Sequence, residues 1–179
     1  MSQVGSVYGQ ALYSLAKDEN LSDIVLQELT VLEESFQAEP QFLALLAAPN
    51  IAVEERCCIL DTCFRDKVHQ YVLNFLKILT EKGAIKAYSA CVCSYRERYN
   101  EDHDILPVTA VTAVPLSAEQ ITRLTDKLSA ITGKYAQVSN RVDPACLGGV
   151  RLDYDGKRID GSVASRLDSV RNMLKNTVL

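Results

Sequence analysis

Apolar residues recur every three or four positions through residues 4–99, which is the spacing of helices that bury one face. The first predicted helix carries its apolar residues at Val4, Val7, Tyr8, Ala11, Leu12 and Leu15. The fifth has the clearest pattern, with Val68, Tyr71, Val72, Phe75, Leu76 and Leu79. Because six such segments follow one another with short connections, this region is predicted to form a six-helix antiparallel bundle.

The pattern changes near Asp102 to Leu106. Leu106–Val114 is rich in Val and Thr, and residues 136–142 alternate between apolar and polar, so each is predicted to be a strand. A capping box between them starts a helix whose buried face is expected at Ile121, Leu124, Leu128 and Ile131. A hairpin follows, and then a final helix with apolar positions Val163, Leu167, Val170 and Leu174.

The predicted fold is therefore mainly α. Residues 1–104 are expected to form the helical bundle, and residues 105–179 a small α+β domain with the order β-α-β-β-β-α.

The stretch from Asp143 to Leu167 carries the strongest backbone constraints in the chain. Gly148-Gly149 is expected at a turn where a Cβ would clash, and Asp155-Gly156 is a strong two-residue hairpin signal. Asp160-Gly161-Ser162 then offers a cap for the final helix. We therefore expect Gly149→Val to destabilise the C-terminal domain.

Composition and charge narrow the class of protein. The chain has 179 residues, of which 47% are hydrophobic and 23% charged, as in globular proteins. No apolar run reaches the length of about 18 residues that a membrane span needs, and the first residues do not resemble a secretory signal. Residues 1–104 carry 9 Lys/Arg and 16 Asp/Glu, a net −7, whereas residues 105–179 carry 10 and 7, a net +3. The acidic first half argues against nucleic acid as a partner.

Two motifs suggest ligand binding, but neither is complete. Gly156-Lys157 would end a phosphate-binding loop, but Arg158 follows where Ser or Thr is required. Asp153-Tyr154-Asp155-Gly156 suggests a calcium loop, but Ser162 stands where the bidentate Glu is needed. Both segments are better explained by a hairpin turn.

The cysteines and histidines also lack the spacing of a site. Cys57-Cys58 and Cys91-Val92-Cys93 lie on predicted helices, where residues one or two apart point in different directions. We expect the six cysteines to be reduced and to pack as small hydrophobic residues. His69 and His103 have no nucleophile at a suggestive spacing, so no catalytic residue, metal or cofactor is predicted.

The C-terminal stretch resembles the signature of the delta subunit of the F-type ATP synthase, the family that includes the mitochondrial oligomycin-sensitivity-conferring subunit. The matching residues are Asp143, Leu147, Gly148, Gly149, Val150, Arg151, Ile159, Asp160, Gly161, Ser162, Val163, Arg166 and Leu167. The resemblance extends from Tyr8 to the last helix. The chain departs from the family at Ser6-Val7, where many members carry a basic residue just before the tyrosine.

The resemblance implies a non-catalytic stator subunit without cofactors, present once in the ATP synthase. Its bundle would hold the N-terminal helices of the head's α subunits, and its C-terminal domain would bind the C-terminal end of the stalk's b subunit. By position, the groove for the α helices would contain Tyr8, Ala11, Leu12, Leu15, Phe75, Leu76 and Leu79. The protein would lie at the cytoplasmic face of the bacterial cell membrane, attached only through the complex.

Two other classes of function stay open at this stage. One is a helical adaptor with an unrelated partner. The other is a small enzyme whose site the sequence does not reveal; a deep pocket lined by titratable groups with shifted pKa values would be its mark.

Overall fold

A computed structural model of the protein describes residues 3–167. The chain divides into two compact units, Met1–Tyr99 and Asn100–Leu179. The described residues are mainly helical in the first unit, and the second contains a small four-stranded mixed sheet. This confirms the coarse fold class that the hydrophobic pattern predicts.

The first unit is built from helices joined by short turns. They are α1 (Gln3–Asp18), α2 (Ser22–Ala38), α3 (Pro40–Leu46), α4 (Val53–Phe64), α5 (Gln70–Glu81) and α6 (Tyr88–Asp102), with a 3₁₀ turn at Ile85–Ala87. Asn20 and Gly83 adopt left-handed backbone conformations just beyond α1 and α5, and so allow the chain to turn sharply there.

The core of this unit consists of the apolar faces that the periodicity predicts. Leu29, Leu60, Leu76 and Leu79 are almost completely buried within it. Burying a leucine side chain contributes about 1.5–3 kcal/mol, so these faces stabilise the unit strongly. An aromatic cluster closes one part of the core, with the rings of Phe36, Phe42, Phe64 and Tyr88 in stacked and edge-to-face contacts.

Helix α1 approaches α6 at a buried glycine. A Cβ atom added to Gly9 would lie 2.4 Å from the carbonyl oxygen of Cys91 and 2.9 Å from the Cβ of Ser94. Glycine costs helix propensity, about 1 kcal/mol against alanine. Because Gly9 has no side chain, the backbones of α1 and α6 can approach each other closely at this point.

Tyrosines of α6 bind α2 through their hydroxyls. Tyr88 donates to the carbonyl oxygen of Leu29 at 2.9 Å, and Tyr95 to that of Ser22 at 3.0 Å. Burial raises the pKa of both phenols well above its usual range. These two helices are therefore joined by neutral hydrogen bonds as well as by apolar packing.

The second unit is a mixed sheet with one described crossover helix. Its strands are β1 (Ile105–Thr112), β2 (Tyr135–Val142), β3 (Val150–Tyr154) and β4 (Lys157–Asp160), with α7 (Ala118–Thr132) between the first two and a 3₁₀ turn at Pro144–Cys146. The strand order is β2-β1-β3-β4; β1 and β2 are parallel, and the other neighbours are antiparallel. Asp155 and Gly156 form the predicted hairpin turn with positive φ angles.

Helix α7 covers its sheet only partly. The predicted capping box is present, with the side chains of Ser117 and Gln120 each bonded to the other residue's backbone, and Gly133 ends the helix. The predicted buried face is only half-buried: Ile121, Leu124 and Leu128 are partly covered. No residue of α7 is fully covered by the described chain, and Ile131, in the last turn of the helix, is 81% exposed.

Residues 163–167 are helical, as expected for the start of the final helix. Its predicted apolar positions Val170 and Leu174 lie outside the described residues.

Candidate partner-binding surfaces

One face of α1 carries apolar side chains that the described chain leaves exposed. Val7, Ala11 and Leu15 are spaced four residues apart, so they form a single row along the helix. Val7 is 64% exposed and Leu15 43% exposed. We call these three residues the α1 row. Such a row is the kind of surface on which an amphipathic partner helix docks.

The opposite face of α1 holds the helix in the unit. Leu12, Tyr13 and Ala16 are buried in the core, and Tyr8 packs against it while half-buried. Of the predicted groove residues on α1, the structure therefore exposes Ala11 and Leu15 and buries Leu12.

The predicted groove residues on α5 are buried. Phe75, Leu76 and Leu79 belong to the core and have almost no exposed surface. They pack the helix into the unit, where α5 contacts α1. The exposed apolar side chain on α5 is Ile78, which sequence analysis did not select. The helical spacing did not predict its exposure, because Ile78 lies between the core positions Leu76 and Leu79.

The flank of α5 that faces α4 is polar. A cavity of about 470 Å³ is lined there by Asp61, Arg65, Asp66, Gln70, Leu73, Asn74 and Lys77. Lys77 and Asp61 form an ion pair of 2.6 Å across it. Exposed pairs of this kind contribute at most about 1 kcal/mol to stability.

The double glycine of the signature lies directly against the start of the final helix. Gly149 has a φ of +78°, and a Cβ there would lie 2.6 Å from the carbonyl oxygen of Gly161. A Cβ on Gly161 would in turn lie 3.1 Å from the carbonyl oxygen of Val150. Two backbone segments meet here at a distance that side chains would prevent.

Hydrogen bonds complete this junction. The backbone N–H of Val163 donates to the carbonyl of Gly148 at 3.0 Å, and the Asp160 carboxylate accepts from the N–H of Ser162 at 2.9 Å. The bonds from Ser162 lower the pKa of Asp160. Ser162 is itself buried, and its hydroxyl caps the helix by accepting from the N–H of Ser165 at 3.2 Å. The signature thus fixes where the final helix starts.

The remaining signature residues surround the junction. Val150 and Arg151 open β3 and are half-buried, whereas the exposed ones are Leu147, Ile159 and Arg166. Arg151 lies near Asp153, which Arg158 also pairs at 2.8 Å. The hydrogen bond from Arg158 holds the pKa of the Asp153 carboxyl below its usual range.

Across residues 3–167, no group of three or more His, Cys, Asp and Glu side chains could hold a metal ion. A second cavity, of about 590 Å³, lies at the β3–β4 hairpin and is lined by Pro107, Thr109, Asp153, Tyr154, Asp155, Gly156, Lys157 and Arg158. Two of its charged side chains, Asp153 and Arg158, form an ion pair of 2.8 Å. In the same described part, no helix is long and apolar enough to cross a membrane.

Relatives with known names match nearly the full length of this chain. The chain is 33% identical over 176 residues to the ATP synthase subunit delta of Alkaliphilus oremlandii (strain OhILAs), covering 98% of each chain. It is also 33% identical over 168 residues to the ATP synthase subunit delta of Lacticaseibacillus casei (strain BL23), covering 93% of this chain and 92% of that one.

A solved structure and a family model agree with these relatives. A chain in the cryo-EM structure of the Toxoplasma gondii mitochondrial ATP synthase hexamer has the same fold, with a TM-score of 0.75 at 21% identity over 97% of this chain and 98% of that one. The model of the family described as ATP synthase delta (OSCP) subunit matches residues 4–174. The chain therefore belongs to the ATP synthase delta (OSCP) subunit family.

Proposed function

We propose that this protein joins the catalytic head of an ATP synthase to its peripheral stalk. Members of the family are structural stator subunits and not catalysts. In our proposal, the six helices of residues 1–104 form an antiparallel bundle that holds the N-terminal helices of the head's α subunits. Residues 105–179 bind the C-terminal end of the stalk's b subunit. The head is then kept from turning with the rotor during proton-driven ATP synthesis.

The observation that carries the proposal is the exposed α1 row, on a helix that contacts α5. Val7, Ala11 and Leu15 are exposed on α1, and Ile78 on α5, while the opposite faces of both helices are deep in the core. A surface of this kind suits an amphipathic helix laid along the two helices. Leu12, Phe75, Leu76 and Leu79 are buried in the core from which these two helices project, and Tyr8 packs against that core.

The mechanical role needs slow dissociation and no chemistry. Affinity differences among related interfaces lie mostly in the off-rate, so an extended apolar contact can hold under load. Two binding units on one chain also raise the effective concentration of each partner for the other. The acidic first half and basic second half, with net charges of −7 and +3, support two different partners.

The complex would place the protein at the cytoplasmic face of the bacterial cell membrane, as a single peripheral copy. Its attachment would come only through the other subunits.

A three-component capture experiment tests this function. A soluble fragment of the host's b subunit is immobilised, and purified head complex is passed over it with and without the protein. We expect the head to be retained only when the protein is present. Retention of the head without the protein, or no retention with it, would contradict the proposed link. If the folded protein binds neither component, it is instead an adaptor with an unrelated partner.

A further inference from the structure

The exposed side of α5 carries an amide one helical turn before Ile78. Asn74 and Ile78 are four residues apart, so their side chains are neighbours along the helix, with Cβ atoms about 5–6 Å apart. Both side chains are exposed. Within the described chain, the Asn74 amide has no hydrogen-bond partner. It is therefore available to bond to a molecule that covers this part of α5.

Asn74 also lines the cavity between α4 and α5. Leu73, which lines the same cavity while only 6% exposed, gives it an apolar base. Gln70 adds a second amide to the lining, one helical turn before Asn74. A side chain that enters from the exposed side of α5 would therefore meet a small apolar surface beside two amides.

The charges in the lining of this cavity balance one another. Lys77 and Asp61 are already paired at 2.6 Å. Arg65 and Asp66 are adjacent in the chain and opposite in sign, so a charged group brought near them would be attracted by one and repelled by the other. Such a group would also lose part of its hydration. An uncharged amide or hydroxyl can instead bond to Asn74 without this cost.

A helix docked over Ile78 would come within reach of Asn74. Packed helices lie about 8–10 Å apart, so the side chains of a helix that covers one turn of α5 also contact the neighbouring turn. In the proposed function, the apolar stripe of the docked helix covers the α1 row and Ile78. The residues at the edge of that stripe are polar in an amphipathic helix, and Asn74 lies where such an edge would meet α5.

We infer that Asn74 selects an uncharged polar side chain (glutamine, asparagine, serine or threonine) at the edge of the apolar stripe of the docked helix. This inference rests on the proposed function for the identity of that helix, the N-terminal helix of an α subunit. A helix with an apolar residue at this position leaves the amide unpaired, and one with a charged residue desolvates a charge. Both are bound more weakly, which makes Asn74 a determinant of specificity.

The test is a calorimetric titration of the full chain with a synthetic peptide of the host α subunit's N-terminal helix. The variant Asn74→Ala removes the amide from an exposed helical position. We expect it to bind the peptide about three- to tenfold more weakly, as for the loss of one hydrogen bond. Its melting temperature should stay the same or rise, because alanine favours the helix. Gln27→Ala, which removes an exposed amide from α2, is the matched control and should bind like the wild type.

A double-mutant cycle identifies the side chain that Asn74 selects. Each polar residue of the peptide is replaced by alanine in turn, and every peptide is titrated into the wild type and into Asn74→Ala. One replacement should weaken binding to the wild type but have little further effect on Asn74→Ala, because the bond is already lost there. We expect the replaced residue to be uncharged. A coupled residue that is charged, or the absence of any coupled residue, would overturn the inference.

The outcomes separate this inference from the proposed function. If the wild type binds the peptide and Asn74→Ala binds it equally well, the role of Asn74 is wrong although the link to the head stands. An equal loss of affinity in Gln27→Ala would remove the assignment to α5, and a lower melting temperature for Asn74→Ala would show that the amide serves the fold; either result overturns the inference. If the wild type does not bind, the link to the head and the inference fail together.

Discussion

The two units differ in which features of their sequences determine the structure. In the helical unit, apolar periodicity defines a deep core with many residues almost fully buried, such as Leu60 and Leu79. In the sheet unit, α7 has no fully buried residue within the described chain, and backbone features define the structure instead: a capping box, a hairpin turn and a glycine junction. Substitutions should therefore act through side-chain volume in the first unit and through backbone geometry in the second.

The largest expected effect separates core from surface in the helical unit. Leu76→Ala should lower the free energy of unfolding by about 2–5 kcal/mol, because it leaves a cavity at a fully buried site. Leu15→Ala, on the exposed face of α1, should change it by no more than about 0.5 kcal/mol. Urea unfolding followed by circular dichroism measures both. Similar values for the two variants would contradict the assignment of Leu76 to the core.

The corresponding pair in the sheet unit uses two glycines with similar backbones. Gly149 and Gly156 have φ angles of +78° and +68°, but only the first has atoms within 4 Å of an added Cβ. Gly156→Ala should cost about 1–2 kcal/mol for the left-handed conformation alone. Gly149→Ala should cost clearly more, because its Cβ meets the Gly161 carbonyl at 2.6 Å. If thermal unfolding showed equal losses of stability for the two variants, the junction at Gly149 could open at no cost in free energy.

A smaller effect should appear at alkaline pH in the helical unit. The buried phenols of Tyr88 and Tyr95 have pKa values raised above the ordinary value of about 10, so the folded state favours their neutral form. Their contribution is fully present below pH about 10 and is lost as the pH rises beyond it. The Cys91 thiol, with a pKa raised by burial to about 11, acts in the same direction.

The variant Tyr95→Phe isolates one of these groups. It should lower stability by about 1 kcal/mol at neutral pH, because the bond to the Ser22 carbonyl is lost. It should also reduce the decline in stability between pH 9 and 11, measured by urea unfolding at each pH. A decline as steep as that of the wild type would mean that other groups cause it.

The sequence predicts the features that depend on local pattern. The capping box at Ser117 and the turn at Gly156 are confirmed because each depends on residues close together in the chain. Helix existence follows from periodicity for the same reason.

The features that could not be predicted depend on how much of an apolar stripe the rest of the chain covers. Leu12 and Leu15 belong to the same stripe, but only one is buried. In the same way, Ile131 continues the stripe of α7 but is 81% exposed, whereas Ile121, Leu124 and Leu128 are half-buried. The left-handed backbone conformation of Leu147 was not predicted either, because leucine gives no turn signal; in the structure this residue ends the 3₁₀ turn directly before Gly148 and Gly149.

The most direct test of the account is a calorimetric titration of the full chain with a peptide of the host α subunit's N-terminal helix. The account predicts saturable binding to the wild type and a loss of at least tenfold in affinity for Leu15→Asp, with the variant still folded because its side chain faces solvent. Lys17→Gln, on an exposed position of α1 outside the row, changes the net charge by the same one unit; it serves as the control and should bind nearly as the wild type does. Unchanged binding by a folded Leu15→Asp variant would contradict the α1 row as the site where the head is held.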